Sequence, residues 1–400
     1  MKRLPLALAL IALPAVAASV WFAFFRPIEP IMPGYLELAQ AMHDGRPLRL
    51  FEPLGYPALI AGWLGGVERT LRAVHLLCLW GTWMFVGWIV VRGATGDRDI
   101  ARDGAPWWQW TWIAFWLLAI FFNPYFLVGL PRVSDSAVNI VFMAALFACA
   151  LAARAARRVD WLLAGMVLGL FVLVRPNAAT LVLALAAVAW LVRAPWSRPA
   201  LLAVAGIVAF GLLSWALLGG AFLWPKNGGY NLFSGNNPFS FGELQGNFNA
   251  EYSVDRGLAW CGVEGDRYSV PDDVYARCTI RFVSENPGAA AKLVAYKAYT
   301  ILLRPNLKLA DTLPKVAIQY LILMPTLAWW ALFAFSRRFR VSLPGMAGFL
   351  FVLLYAAPFA LTNADPRFRI PLDVVYAMSA LAFALGDRRS LPIARTDRAQ

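Results

Sequence analysis

Charge is scarce in this chain. Asp, Glu, Lys and Arg make up 15 % of its 400 residues, where a soluble domain usually carries about 25 %. Histidine is scarcer still, with two residues, and cysteine stands at four. There is no glycine-rich phosphate loop, no metal-type CxxC and no nucleophile elbow. These absences argue against an ordinary soluble domain, a P-loop nucleotide enzyme and a serine hydrolase of the α/β type. What fills the chain is apolar: 60 % hydrophobic residues, with 18 Trp and 27 Phe. That composition reads as an all-α polytopic membrane protein with aromatic belts at the interfaces. The net charge of +13 comes mainly from Arg. In a membrane protein it is explained by positive loops, so nucleic acid is not expected as a partner.

Hydropathy predicts about ten spans, at 4–25, 70–91, 107–129, 137–153, 161–174, 178–192, 199–224, 314–336, 343–361 and 370–386. The first resembles a secretory signal with an Ala-x-Ala site, but its apolar run continues to Phe25 and is read as an uncleaved span. "VRPN" at Val174–Asn177 separates the fifth and sixth spans, because a residue preceding proline avoids helix. Placing both termini in the cytoplasm puts most Lys and Arg inside. The short outer loops then hold Arg132, Arg175, Arg367 and Arg369.

Three parts follow from this topology. Residues 1–224 form an N-terminal module of seven spans with a first outer loop at 26–69. Residues 225–313 form a large outer loop, expected to be of mixed structure. Residues 314–400 form a three-span module with a cytoplasmic tail. Loops of such length are usually functional. In the first, Tyr35, Leu38, Ala39 and Met42 recur at helical spacing, with Glu37, Gln40 and Asp44 opposite. This predicts an interfacial helix, and the apolar "YPALIAGWLGGV" (Tyr56–Val67) a second.

Arginine at the outer surface runs against the charge bias and needs a local reason. An ion pair such as Asp365 with Arg367 is one. An anionic ligand is the other, since a guanidinium fork matches phosphate. Asp135, near Arg132, either caps the following helix or serves chemistry. The Asn-, Gly- and aromatic-rich stretch at Leu223–Phe248 suits either turns or a carbohydrate site. Cys261 and Cys278 lie in the large loop. They form a disulfide if it faces an oxidising compartment, and are otherwise two free thiols. His75, in an apolar span, is expected to be a packing residue, and a divalent metal held by His43 with Asp44 or Glu52 is a further candidate.

Several stretches together resemble the C-type glycosyltransferase (GT-C) superfamily, and most the bacterial branch of protein mannosyltransferases and lipid A aminoarabinose transferase. They are "GYLELAQAMHDG" with "EPLGYPALIAGWLGG", "NPYFLVGLPRVSDS", "GLFVLVRPN", "GGYNLFSGNNPFSFG", "SENPGAAAKLVAYKAY" and "DPRFRIPLD", spread over nearly the whole chain. The resemblance implies a bacterial inner-membrane enzyme that moves a sugar, with inversion, from a polyprenyl-phosphate donor to a glycan, lipid or protein hydroxyl on the periplasmic face. It implies an acid in the first outer loop as general base, a second acid where Asp135 stands, and basic residues on the lipid phosphate. Arg132, Arg367 and Arg369 match that last role, with Lys226 as a further candidate. Where the family pattern has an aspartate ahead of the tyrosine, this chain has Ile31. Glu29 is then the nearest upstream acid, with Asp44, Glu52 and Glu37 behind it. Tyr35, Tyr230, Asn236 and Asn237 are candidates for a sugar pocket. The competing classes are a non-catalytic envelope protein of the same fold and a lipid-linked sugar transporter or flippase.

Overall fold

A computed structural model describes residues 3–28, 33–46, 56–57, 67–96, 107–132, 134–152, 158–192, 208, 212, 228–241, 246–265, 267, 269–304 and 313–385. The described residues are overwhelmingly helical and contain no strand. Four helical stretches are long and apolar enough to cross a membrane: Leu8–Phe25, Glu68–Val91, Trp107–Val128 and Leu343–Leu361. Five shorter apolar helices accompany them. Large apolar side chains stay exposed along these elements, among them Met84, Trp107, Leu77 and Phe335. In water such a surface is costly, whereas in lipid it is the expected outer face. The protein is therefore read as membrane-embedded.

The helices begin and end close to the predicted boundaries. They are α1 (Arg3–Phe25), α2 (Pro33–His43), α3 (Val67–Gly96), α4 (Trp107–Phe121), α5 (Pro124–Val128), α6 (Ser136–Ala152), α7 (Arg158–Val174) and α8 (Leu181–Leu191). The span expected at 199–224 lies almost wholly outside the described residues. After it come α9 (Gly228–Ser234), α10 (Gly246–Cys261), α11 (Asp272–Glu285), α12 (Pro287–Leu302), α13 (Leu313–Phe335), α14 (Arg337–Arg340), α15 (Leu343–Leu361) and α16 (Ile370–Ala384). The large outer segment was expected to be of mixed structure, yet its described elements, α9 to α12, are all helices. Their pieces are short because Gly and Pro punctuate the segment.

Helix α16 is the hub. Every residue in it except Phe383 is buried, and it packs against α3, α4, α6, α13 and α15. A helix that is apolar on all sides belongs at the centre of a bundle. Its N-terminus therefore fixes the preceding 3-10 turn, Pro366–Arg369, at one end of that bundle. Proline shapes two further joints at the same end. Asn123 caps α5 by accepting from the Tyr125 amide at 3.0 Å, with Pro124 next in line. Arg175, ahead of Pro176, is extended at φ −145° and ψ 98°, and a 3-10 turn (Pro176–Thr180) leads into α8.

The segment between α1 and α3 contributes α2, whose Tyr35, Leu38 and Ala39 are buried while Glu37 and Gln40 are exposed. Of the second predicted helix, Tyr56 and Pro57 are described. Helices α9, α10 and α11 have a core of their own that includes Phe233, Val254, Leu258, Tyr275 and Cys278. A disulfide joins Cys261 to Cys278, with Cα atoms 5.9 Å apart, and so ties α10 to α11.

Candidate functional site

Asp135 sits where α6 begins. Its carbonyl accepts the first helical bond, from the Asn139 amide at 2.9 Å, so its backbone occupies the N-cap position. Its carboxylate is held by Arg175 across 40 residues of chain: Nε donates to Oδ2 at 2.8 Å, and Nη2 donates to the same oxygen. The pair is largely withdrawn from solvent, with side-chain exposures of 3 % for Asp135 and 11 % for Arg175. The pre-proline turn supplies this geometry: Arg175 makes the last helical bond of α7, its amide donating to the Phe171 carbonyl at 2.7 Å, and its ψ of 98° then ends the helix.

Aromatic rings cover the guanidinium. Its carbon lies 4.7 Å from the ring centre of Phe368 and 5.6 Å from that of Phe359, distances that favour a cation over a ring face. The two rings stack at 4.5 Å. Phe368 belongs to the 366–369 turn held by α16. The sequences around Asp135, Arg175 and "DPRFR" therefore meet in one place.

The segment between α1 and α3 reaches the same region. Tyr35 and Ala39 of α2, Tyr56, Leu71 of α3, Val138 of α6 and Val174 of α7 form one buried cluster. Tyr35 and Tyr56 meet edge to face at 5.0 Å. The Tyr56 hydroxyl lies 2.9 Å from His75 Nε2, and His75 Nδ1 lies 2.9 Å from the Leu130 carbonyl. A carbonyl only accepts, so Nδ1 carries the hydrogen, Nε2 accepts, and Tyr56 donates. His75, expected as a packing residue, is thus the middle of a buried relay. Burial raises the Tyr56 phenol well above its usual range, and the charge of Asp135 adds to the effect.

The remaining predicted residues divide by what they touch. Arg369 is buried at 1 % exposure; its Nη1 donates to the Arg304 carbonyl at 2.8 Å and its Nε faces Asp373 at 3.5 Å. It organises the turn from within. Arg132 is half-buried beside Asp135 in sequence. Arg367 lies in the 3-10 turn, its side chain outside the described set, as are Glu29, Glu52 and Lys226. Asp44 is held by Gln40 at 2.9 Å and Arg46 at 3.0 Å. Among the described residues no three His, Cys, Asp or Glu gather as metal ligands; Glu52, a candidate beside His43 and Asp44, lies outside them.

The amides proposed for a sugar pocket are engaged by the chain itself. Asn236 Nδ2 donates to the Leu232 and Leu361 carbonyls, each at 2.7 Å. Asn237 donates to the Phe233 carbonyl at 2.9 Å and accepts from the Phe239 amide at 2.9 Å. Tyr230, half-buried on α9, stacks edge to face on Tyr275 at 5.4 Å, and its amide donates to Asp272 at 2.9 Å.

Sequence reasoning passed over Lys297, which is fully buried on α12. Its Nζ donates to Asn236 Oδ1 at 2.7 Å and to the carbonyls of Thr362 at 2.9 Å, Gly235 at 3.2 Å and Leu361 at 3.4 Å. Those carbonyls belong to the C-terminal ends of α9 and α15, where the helix dipole is negative. Burial pushes this lysine down to about 7. Through it α9 and α12 grip the turn leading to Pro366–Arg369. The signal in "KLVAYKAY" was faint, because backbone carbonyls leave no trace in a sequence. No family model, no curated protein and no solved structure matches this chain.

Proposed function

We propose that this protein is a GT-C-like glycosyltransferase of the bacterial inner membrane. It transfers a sugar, with inversion, from a polyprenyl-phosphate donor to a glycan, lipid or protein hydroxyl on the periplasmic face. The reading includes a ten-span topology with both termini in the cytoplasm. The observation that carries it is convergence. Tyr35, Tyr56, Asp135, Arg175 and Phe368 come from five separated stretches, each belonging to a motif that resembles the superfamily, and they share one buried neighbourhood.

The chemistry asks for an acid to take the acceptor proton and cations to hold the departing phosphate. Asp135 is the acid at this cluster, and Glu29, in the loop leading to α2, is the other candidate for the base. Arg132 and Arg367 lie on the two loops that flank it and are the candidates for the phosphate. Arg369 shapes the turn that presents Arg367.

The test is direct. Purified protein is incubated with radiolabelled polyprenyl-phosphate sugars and the loss of each is followed. One of them should be consumed, and Asp135→Asn should cut the rate at least a hundredfold, the lower end of what a general base contributes (~10²), at unchanged expression. If no donor is consumed under any condition, the non-catalytic class stands instead.

A further inference from the structure

We propose that Arg175 is handed from Asp135 to the donor's phosphate when the donor binds, so that Asp135 becomes a base only once the leaving group is in place. The idea rests on the glycosyltransferase reading and deepens it.

Three observations lead there. First, the Nε and Nη2 donors of Arg175 both fall on a single oxygen, Oδ2 of Asp135. A phosphate offers a forked pair of oxygens and matches the guanidinium better than one carboxylate oxygen does. Second, Arg175 is the more accessible partner, its side chain 11 % exposed against 3 % for Asp135. Its backbone turns extended ahead of Pro176 at φ −145° and ψ 98°, while its amide still closes α7 by donating to the Phe171 carbonyl at 2.7 Å. Third, the neighbouring buried guanidinium is committed elsewhere: Arg369 is spent on the Arg304 carbonyl and Asp373. The Phe359 and Phe368 rings form a wall along which the planar group can slide without losing its stacking.

The hand-over has a chemical consequence. While Arg175 holds it, Oδ2 of Asp135 is engaged by two charged donors; once released, that oxygen is open to accept a proton. Binding the donor would thus switch the base on. The acceptor oxygen then attacks the anomeric carbon, its proton passes to Asp135, and the carbon–oxygen bond to phosphate breaks. The bonding pair stays on the phosphate oxygen, against Arg175. Without donor the base stays masked and water is not activated.

The experiment measures carbodiimide labelling of Asp135 by peptide mass spectrometry on the full chain in detergent, at one fixed pH throughout. The probes are sugar-free polyprenyl phosphate, inorganic phosphate and the matching polyprenol, with binding followed separately by thermal shift. Polyprenyl phosphate should raise labelling of Asp135 by at least about fivefold, the low end of typical site–site coupling, and polyprenol should not. A rise with the lipid alone assigns a lipid headgroup, and a rise with both phosphates assigns the anion itself; either supports the hand-over. Arg175→Gln should label strongly with or without ligand, and Arg175→Lys, which retains the charge should the glutamine variant not fold, should respond to the lipid more weakly than the native chain. Polyprenyl phosphate that binds yet leaves labelling unchanged or lowers it overturns the hand-over while leaving the glycosyltransferase reading intact. Absence of any binding by polyprenyl phosphate overturns both.

Discussion

The side chains that matter most here are charged groups with few alternatives to the partner they have. Arg175 and Asp135 are each buried against the other, and removing one member of such a pair typically costs about 3–5 kcal/mol. Arg175→Ala should therefore lower the unfolding midpoint sharply. Arg175→Ala combined with Asp135→Ala should recover part of the loss, because no lone charge remains. A double-mutant cycle read by thermal unfolding in detergent checks this, and strictly additive losses would mean that the two residues do not act as a pair.

Lys297 gives a prediction in pH. Its folded value of about 7 lies below the ordinary lysine value of 10.5, so the unfolded chain binds its proton more tightly. Its contribution to stability should rise as pH climbs from about 7 towards 10.5, by at most about 1.4 kcal/mol per pH unit, and be flat below that window. Comparing unfolding of the native chain and Lys297→Met from pH ~6 to ~10 isolates the effect, because the variant lacks this slope.

At the scale of elements, the joint between the outer helices and the bundle is the most exacting contact. A Cβ placed on Gly235 would lie 1.8 Å from the Thr362 carbonyl, so Gly235→Ala must force α9 away from the end of α15 and disturb the Lys297 clamp. Backbone cannot yield as a flexible side chain would, and the expected loss is in the range of about 1–3 kcal/mol. The disulfide should also be worth about 3 kcal/mol for its short loop, so reductant should lower the melting of the outer helices.

The bundle was largely legible in the sequence. Long apolar runs gave α1, α3, α4 and α15, and the proline in "VRPN" gave the break at Arg175. The two-faced pattern around Tyr35 gave α2. The content of the site was less legible, for a physical reason. Arg175 read as one more outer-loop charge, because its partner Asp135 lies 40 residues earlier and nothing local announces it. Asn236 and Asn237 read as hydroxyl-binding amides, yet amides serve backbone carbonyls equally well, and here they do.

Across the whole molecule, an apolar bundle carries a helical cap of α9 to α12, and the turn bearing Phe368 connects that cap to Arg175 and Asp135. Sidedness is the first consequence. Reporters fused within the α10–α11 connection should be active outside the cell, and reporters fused after Gln400 should be active inside. The measurement that bears most directly on the central claim is release of polyprenyl phosphate from a polyprenyl-phosphate sugar, in proteoliposomes supplied with donor on the face that carries the outer helices. The account predicts release by the native chain and its near-complete loss in Asp135→Asn. Equal release by both proteins would contradict it.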